Sequence, residues 1–286
     1  MNKKNVEKLI QLALAIELEQ AKRAGMLGYM ARALTQATLP HSKVTGNEFK
    51  RINGLFKLTI TADSEVGLPY GSIPRLLLAW MATEAIKTKS RHLVLGKTLS
   101  SFMEDIGLVP TGGRWGTISR LKDQMKRLFS SAISCTYDDG NHWVIKNINP
   151  VSSADVWWNP MSPNQLTMFE SSLILNEDFF KEIISNPVPV DMRVLKKLKR
   201  SPLALDIYCW LTYRLSYLKK TTIISWSTLK LQFGANYSPG SQGERNFKKA
   251  FLRELRKVSV FYPQANFQCL EEGLSLKVSK PHIPKC

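Results

Sequence analysis

The residues with the clearest chemistry lie near the C-terminal end. From Gln242 to Val258 the apolar Phe247, Phe251, Leu255 and Val258 share one helical direction at about 100° per residue. Gln242, Arg245, Asn246, Lys249, Arg253, Arg256 and Lys257 fall opposite, with Lys248 between the two faces. Arg pairs bidentately with guanine, Asn or Gln with adenine, and Lys neutralises phosphate, so this pattern carries the chemistry of double-stranded DNA readout. An earlier helix, Thr117 to Phe129, offers less. Its core stripe is Ile118, Leu121, Met125 and Leu128, and its outward side holds Ser119, Asp123, Lys126 and Arg127, preceded by Arg114 and Trp115. Asp123 near the centre of that side repels phosphate, so the expected role there is weaker, in backbone contact or dimerisation.

Catalytic patterns are missing. No P-loop occurs, since Gly112-Gly113-Arg114-Trp115-Gly116 lacks the lysine and the preceding strand. No two histidines are spaced as the metal site of a nicking endonuclease requires, and Glu104-Asp105 and Asp138-Asp139 are read as solvated pairs at a helix end and a turn. Cys135, Cys209, Cys269 and Cys286 form no C-x-x-C pair and do not cluster with the four histidines, which disfavours zinc and disulfide scaffolds. The expectation is a protein with no catalytic residues, metal or cofactor.

Charge supports a polyanionic partner. Forty Lys and Arg against 23 Asp and Glu leave +17, and Arg193 to Lys257 alone holds 15 cations against three acids. With 44% hydrophobic residues in 286, the chain has material for two packed cores. No apolar run approaches the ~20 residues of a membrane span and no secretory leader is evident, so a cytoplasmic location is expected.

The elements that must position these faces follow from periodicity. Asn5 to Thr35 reads as helix, followed by a connection after Pro40. Phe56 to Ile60 reads as a half-buried strand and Ser72 to Lys87 as an apolar helix. Next come a short strand, Leu93 to Leu95, a short helix ending at Gly107, the helix Thr117 to Phe129, and a hairpin of Ile133 to Tyr137 with His142 to Ile148. A similar order recurs: strand Ser172 to Leu175, helix Pro202 to Tyr217, strand Thr222 to Ser225, helix Ser227 to Phe233, helix Gln242 to Val258 and hairpin Ala265 to Val278. Trp80 and Trp210 occupy matching places, and Leu128 and Leu255 each lie 21 residues after a glycine, Gly107 and Gly234. We read an internal duplication with Val151 to Asn164 as linker or covering strand. The fold expected is α+β, two tandem winged helices after an N-terminal helical extension. The divisions are 1–45, 46–160 for backbone contact or dimerisation, and 161–286 for sequence-specific binding.

From Gly67 to Lys277 the chain resembles the RepA-type initiators of plasmid replication. The resemblance rests on Gly67-Leu68-Pro69-Tyr70-Gly71 with Pro74-Arg75, Phe102-Met103 with Gly107, and Arg114-Trp115-Gly116. In the second half it rests on Leu175 to Phe180, Pro187 to Asp191, and Ser201 to Tyr208 followed by Trp210-Leu211. It implies tandem winged helices, binding to repeated origin sites (iterons), melting of nearby A·T-rich DNA, recruitment of the host replicative helicase and initiator proteins, and a monomer–dimer equilibrium. The alternative is a winged-helix transcriptional regulator or autorepressor without origin-melting activity. A nickase or primase is disfavoured by the missing motifs.

Overall fold

The structure, a computed structural model, describes residues 26–234 and 236–283. In chain order its elements begin β1 (Leu27–Ala31), α1 (Arg32–Gln36), β2 (Glu48–Asn53), β3 (Phe56–Thr61), α2 (Ser72–Thr88), β4 (His92–Val94), α3 (Leu99–Asp105) and α4 (Thr117–Ser130). They continue with β5 (Ala132–Asp138), β6 (Trp143–Asn147), β7 (Val151–Asp155), β8 (Ser172–Leu175), α5 (Glu177–Ser185), β9 (Pro187–Asp191) and α6 (Met192–Leu198). The last are α7 (Pro202–Tyr217), β10 (Thr222–Ser225), α8 (Trp226–Phe233), α9 (Gly240–Phe261), β11 (Phe267–Cys269) and β12 (Gly273–Leu276). The architecture is mixed α+β.

Two stretches share one arrangement. In the first, α2, β4, α3 and α4 are followed by β7 and β8, which form a sheet ordered β4-β8-β7. In the second, α7, β10, α8 and α9 are followed by β11 and β12, ordered β10-β12-β11. Both sheets place the last strand in the middle. The cores match as well: Trp80 on α2 meets the edge of Phe102 on α3 at 5.0 Å, and Trp210 on α7 meets that of Phe233 on α8 at 5.4 Å. The long apolar helices α2 and α7 are buried nearly all round, from Leu76 to Ala82 and from Leu203 to Leu211, as helices at the centre of each unit must be.

The expected strand assignments change in three places. The hairpin signalled by Asp138 to Asn141 does form, but β5 and β6 extend β2 and β3 into a separate four-stranded meander, β2-β3-β5-β6. The first unit's hairpin is instead β7 and β8. Consequently residues 156–171, which include most of the expected linker, form the loop between those strands, and Ser172–Leu175 closes the first unit's sheet rather than opening the second unit. Strands on both sides of residue 160 therefore share one sheet. The polar segment after Pro40 also contains β2, paired along its length with β3.

The expected helix Asn5 to Thr35 lies outside the described residues up to residue 25. Beyond that it is corrected in part: Leu27–Ala31 is a strand antiparallel to β9, with Leu27 opposite Asp191 and Ala31 opposite Pro187, while Arg32 to Thr35 is helical, within α1. At Gly28 the strand passes so close to the Met192 side chain that a Cβ would overlap it. The neighbouring Tyr29 N–H donates to Thr83 Oγ1 on α2 at 2.9 Å, which fixes the strand against the first unit while β9 leads into the second.

A buried ion cluster ties the units together. The Arg75 guanidinium on α2 grips the Asp206 carboxylate on α7 with Nε to Oδ1 at 2.7 Å and Nη2 to Oδ2 at 2.8 Å. It also donates to the carbonyls of Leu39, Pro40 and Gly71. His41 Nε2 lies 2.7 Å from Asp206 Oδ2. Although burial opposes ionisation, Arg75 and the His41 hydrogen bond hold the Asp206 carboxyl well below the usual range. Arg51, buried beside them, is lowered to about 9 by desolvation, with its Nε donating to the Thr38 carbonyl at 3.4 Å.

Candidate nucleic-acid interface

Helix α9 buries Phe247, Phe251, Leu255 and Val258, each 1% exposed or less. Phe251 is the centre of an aromatic cluster with Trp210, Trp226, Phe233 and Phe247, all within 6.4 Å between ring centres. That packing fixes which side of α9 faces water. Gln242, Arg245, Asn246, Lys249, Arg253 and Arg256 are exposed on it. Gln242 Nε2 donates to Asn246 Oδ1 at 3.1 Å, one turn on, so the two amides form a linked pair. Arg245, Lys249 and Arg256 make no side-chain hydrogen bond or ion pair among the described residues, leaving their charges free for an anion.

Three of the expected cations on this helix also have internal partners. Arg253 Nε and Lys257 Nζ contact the buried Glu254 carboxylate at 2.7 and 2.8 Å. These bonds outweigh desolvation and keep the Glu254 pKa below its ordinary value. The Arg253 side chain remains 69% exposed, so it offers its remaining donors outward, whereas Lys257 is held closer. Lys248 sits over the Trp226 ring at 4.6 Å and donates to the Glu271 carbonyl at 3.1 Å. It fastens the β11–β12 turn to the helix, a structural task the sequence pattern does not distinguish from anion binding.

Helix α4 is preceded by Gly116 at its N-cap, where a Cβ would overlap the backbone of Thr111 and Gly112. The loop before it is folded by Thr117 Oγ1, which donates to the Val109 carbonyl, and by the Thr111–Thr117 hydroxyl pair. Arg114 lies 5.1 Å over the Trp115 ring and both are exposed, Trp115 by 81%. Ser119 Oγ donates to the Gly113 carbonyl at 2.9 Å, so it supports this loop. Arg127 is turned inward: Nε bonds Asp123 at 2.9 Å, Nη1 reaches the Leu68 carbonyl, and the guanidinium covers the Tyr70 ring at 5.6 Å. Asp123 is neutralised by that pair and does not stand as an isolated charge. Arg120, Lys122 and Lys126 are the exposed cations of α4; the first two are not among the expected residues, although Arg120 lies as far round the helix from Asp123 as Lys126 does. Lys122 and Lys126 border a groove of about 600 Å³ between α4 and β7.

Each of the two α+β units joins a three-stranded sheet to an exposed, basic helix, so this strongly basic protein carries two surfaces of the kind that attract a polyanion. The chain belongs to the plasmid-encoded RepA protein family, a family of plasmid replication initiators: residues 68–228, more than half of its length, match the family model. In fold it is similar to the crystal structure of domains 2 and 3 of RctB, with 13% identity, a TM-score of 0.51, and 87% of this chain and 97% of that one covered. A structure of selenomethionine derivatives of the same RctB domains gives 14% identity, a TM-score of 0.55, and coverage of 86% and 95%. No curated protein matches the chain. Among the described residues no helix is long and apolar enough to cross a membrane.

Proposed function

We propose that this chain is a sequence-specific, non-enzymatic origin-binding initiator acting in the bacterial cytoplasm without cofactor or metal, and that its two units are winged helices. The recurrence of one sheet order behind an exposed helix supports the second part. The observation that carries the first is the free cationic face of α9, held outward by the aromatic packing beneath it. In this reading Arg245, Asn246, Arg253 and Arg256 reach base edges, and Gln242 and Lys249 reach phosphate or an adjacent edge. Helix α4 sets position through Arg114, Arg120, Lys122 and Lys126 on the backbone. Bound at repeated sites, the protein opens adjacent A·T-rich DNA and recruits the host helicase and initiator proteins, under the control of its own monomer–dimer equilibrium.

Footprinting on the replicon's own origin tests this. Protection of tandem repeats beside an A·T-rich tract is the expected result. A single protected promoter operator would make it a transcriptional autorepressor, and metal-dependent nicking of the supercoiled origin would make it an enzyme. Arg245→Ala and Arg256→Ala should each weaken binding to the repeat by about 1 to 3 kcal/mol and to random duplex by less. Equal losses on both would assign them to phosphate. In that case each should also lower the magnitude of the log-affinity against log-salt slope by about 0.9.

A further inference from the structure

In a chain of net charge +17, residues 147–180 contain no Lys or Arg and four acids, Asp155, Glu170, Glu177 and Asp178. Glu177 is paired with Lys181 and Asp178 sits in the first turn of α5, which leaves Asp155 just before the loop 156–171 and Glu170 within it. That loop is apolar at its surface: Met168 is 95% exposed and Met161 91%, with Leu166, Phe169 and Trp157 beside them more than half or half exposed. It is nevertheless built, not loose. Trp157 and Phe169 stack at 4.8 Å, the Ser100 N–H donates to the Pro163 carbonyl at 3.0 Å, and the Thr167 N–H donates to the Lys97 carbonyl at 3.3 Å. An ordered apolar patch with acidic flanks is suited to a protein surface and is repelled by a phosphate backbone.

The complementary surface is on the same chain. From Ile207 to Gly243 there is no acid and there are four cations, Arg214, Lys219, Lys220 and Lys230. Tyr217 and Ile223, 44% and 52% exposed, border one depression, with Lys219 and Lys220 on the turn between them. Ile223 lies on β10, an edge strand of its sheet.

We propose that the 156–171 loop of one copy docks on the Tyr217–Ile223 surface of a second copy, with Trp157, Met168 and Phe169 against Tyr217 and Ile223 and with Glu170 facing Lys219 and Lys220. The loop belongs to the first unit and the Tyr217–Ile223 surface to the second, and the proposed contact is heterologous, repeating head to tail from copy to copy. Copies on directly repeated DNA sites are related in the same way, so the contact would align neighbours along an origin. Only that use rests on the function proposed above; the contact itself needs no DNA.

The test is sedimentation of the full chain without DNA, at low ionic strength and up to its highest soluble concentration. The average mass should rise with concentration, pass the dimer value, and fall as salt is added. Glu170→Lys and Lys220→Glu should each weaken association by about tenfold through like-charge contact, while keeping the parent's thermal midpoint because both side chains are exposed. Mixed in equal amounts, the two variants should associate more strongly than either alone, since the reversed loop of one meets the reversed surface of the other and the two unchanged surfaces meet as in the parent. Met168→Ser should weaken association without any charge change. A parent that stays monomeric, a dimer indifferent to both reversals, or a mixture that fails to associate would overturn the proposal. Because no DNA is present, any of these leaves the origin-binding reading to stand or fall on its own footprint.

Discussion

At the scale of single residues, the same side-chain types divide between internal and external work, and burial of the neighbours decides which. Phe251 should be among the costliest truncations: Phe251→Ala removes the centre of a five-ring cluster and should cost about 3 to 5 kcal/mol, read from urea unfolding. A variant as stable as the parent would show that α9 faces the other way. Arg75 and Asp206 make a sharper case. Removing one partner strands a buried charge, so Asp206→Ala should lose about 3 to 5 kcal/mol, whereas Arg75→Met combined with Asp206→Leu should recover most of it. If the double variant is no better than the single, the clamp's value lies in its bonds to Leu39, Pro40 and Gly71 as much as in the ion pair. Both residues fall in the stretches on which the family resemblance rests, Pro74-Arg75 and Ser201 to Tyr208, and the structure shows those two stretches meeting. Arg127 and Lys248, both expected to face DNA, also have partners within the chain: Arg127 lies over Tyr70 and Lys248 over Trp226, contacts with segments remote in sequence.

At the scale of elements, helices with a clean apolar stripe were legible to within a few residues, α4 and α9 above all, because their periodicity is local. Strands were not. The Asp138 to Asn141 turn announces a hairpin correctly yet carries no information about which sheet that hairpin joins, and β5 pairs with β3 more than 70 residues earlier. Nor does the Pro187 to Asp191 segment look like a strand with two prolines, and it serves as one because it lies in a two-stranded ribbon with β1. The tight approach at Gly28 makes a direct check: Gly28→Val should displace Met192, separate β1 from β9, and lower the thermal midpoint by several degrees. Proteolysis near residue 31 should rise with it. An unchanged midpoint and cleavage pattern would mean the ribbon contributes little to the assembled fold.

At the scale of the whole molecule, stability should depend on pH through two largely buried histidines. Desolvation lowers His41 and His282 from 6.5 to about 4, against the pull of Asp206 on His41 and with the Tyr208 hydroxyl 2.9 Å from His282 Nδ1. The unfolded chain then binds protons below about pH 6.5 that the folded chain refuses, so stability is full above that pH and is lost as pH falls toward 4. Each histidine contributes a slope of up to roughly 1.4 kcal/mol per pH unit. Urea midpoints measured across that range should fall steadily, and His282→Asn, which keeps a polar partner for Tyr208, should remove about half of the slope. The depressed Asp206 and Glu254 carboxyls add a separate loss at lower pH, where they are finally protonated. A flat profile from pH 7 to 4 would contradict the burial of both rings. The sequence by itself determined the basic character, the apolar centres α2 and α7, the cationic side of α9 and the recurrence of a helix-rich order, since composition and helical periodicity are properties of contiguous residues. Only the tertiary structure decided which hairpin completes the first unit, that strands across residue 160 share a sheet, and which cations are already spoken for, because strand pairing and charge pairing join residues that no local pattern connects.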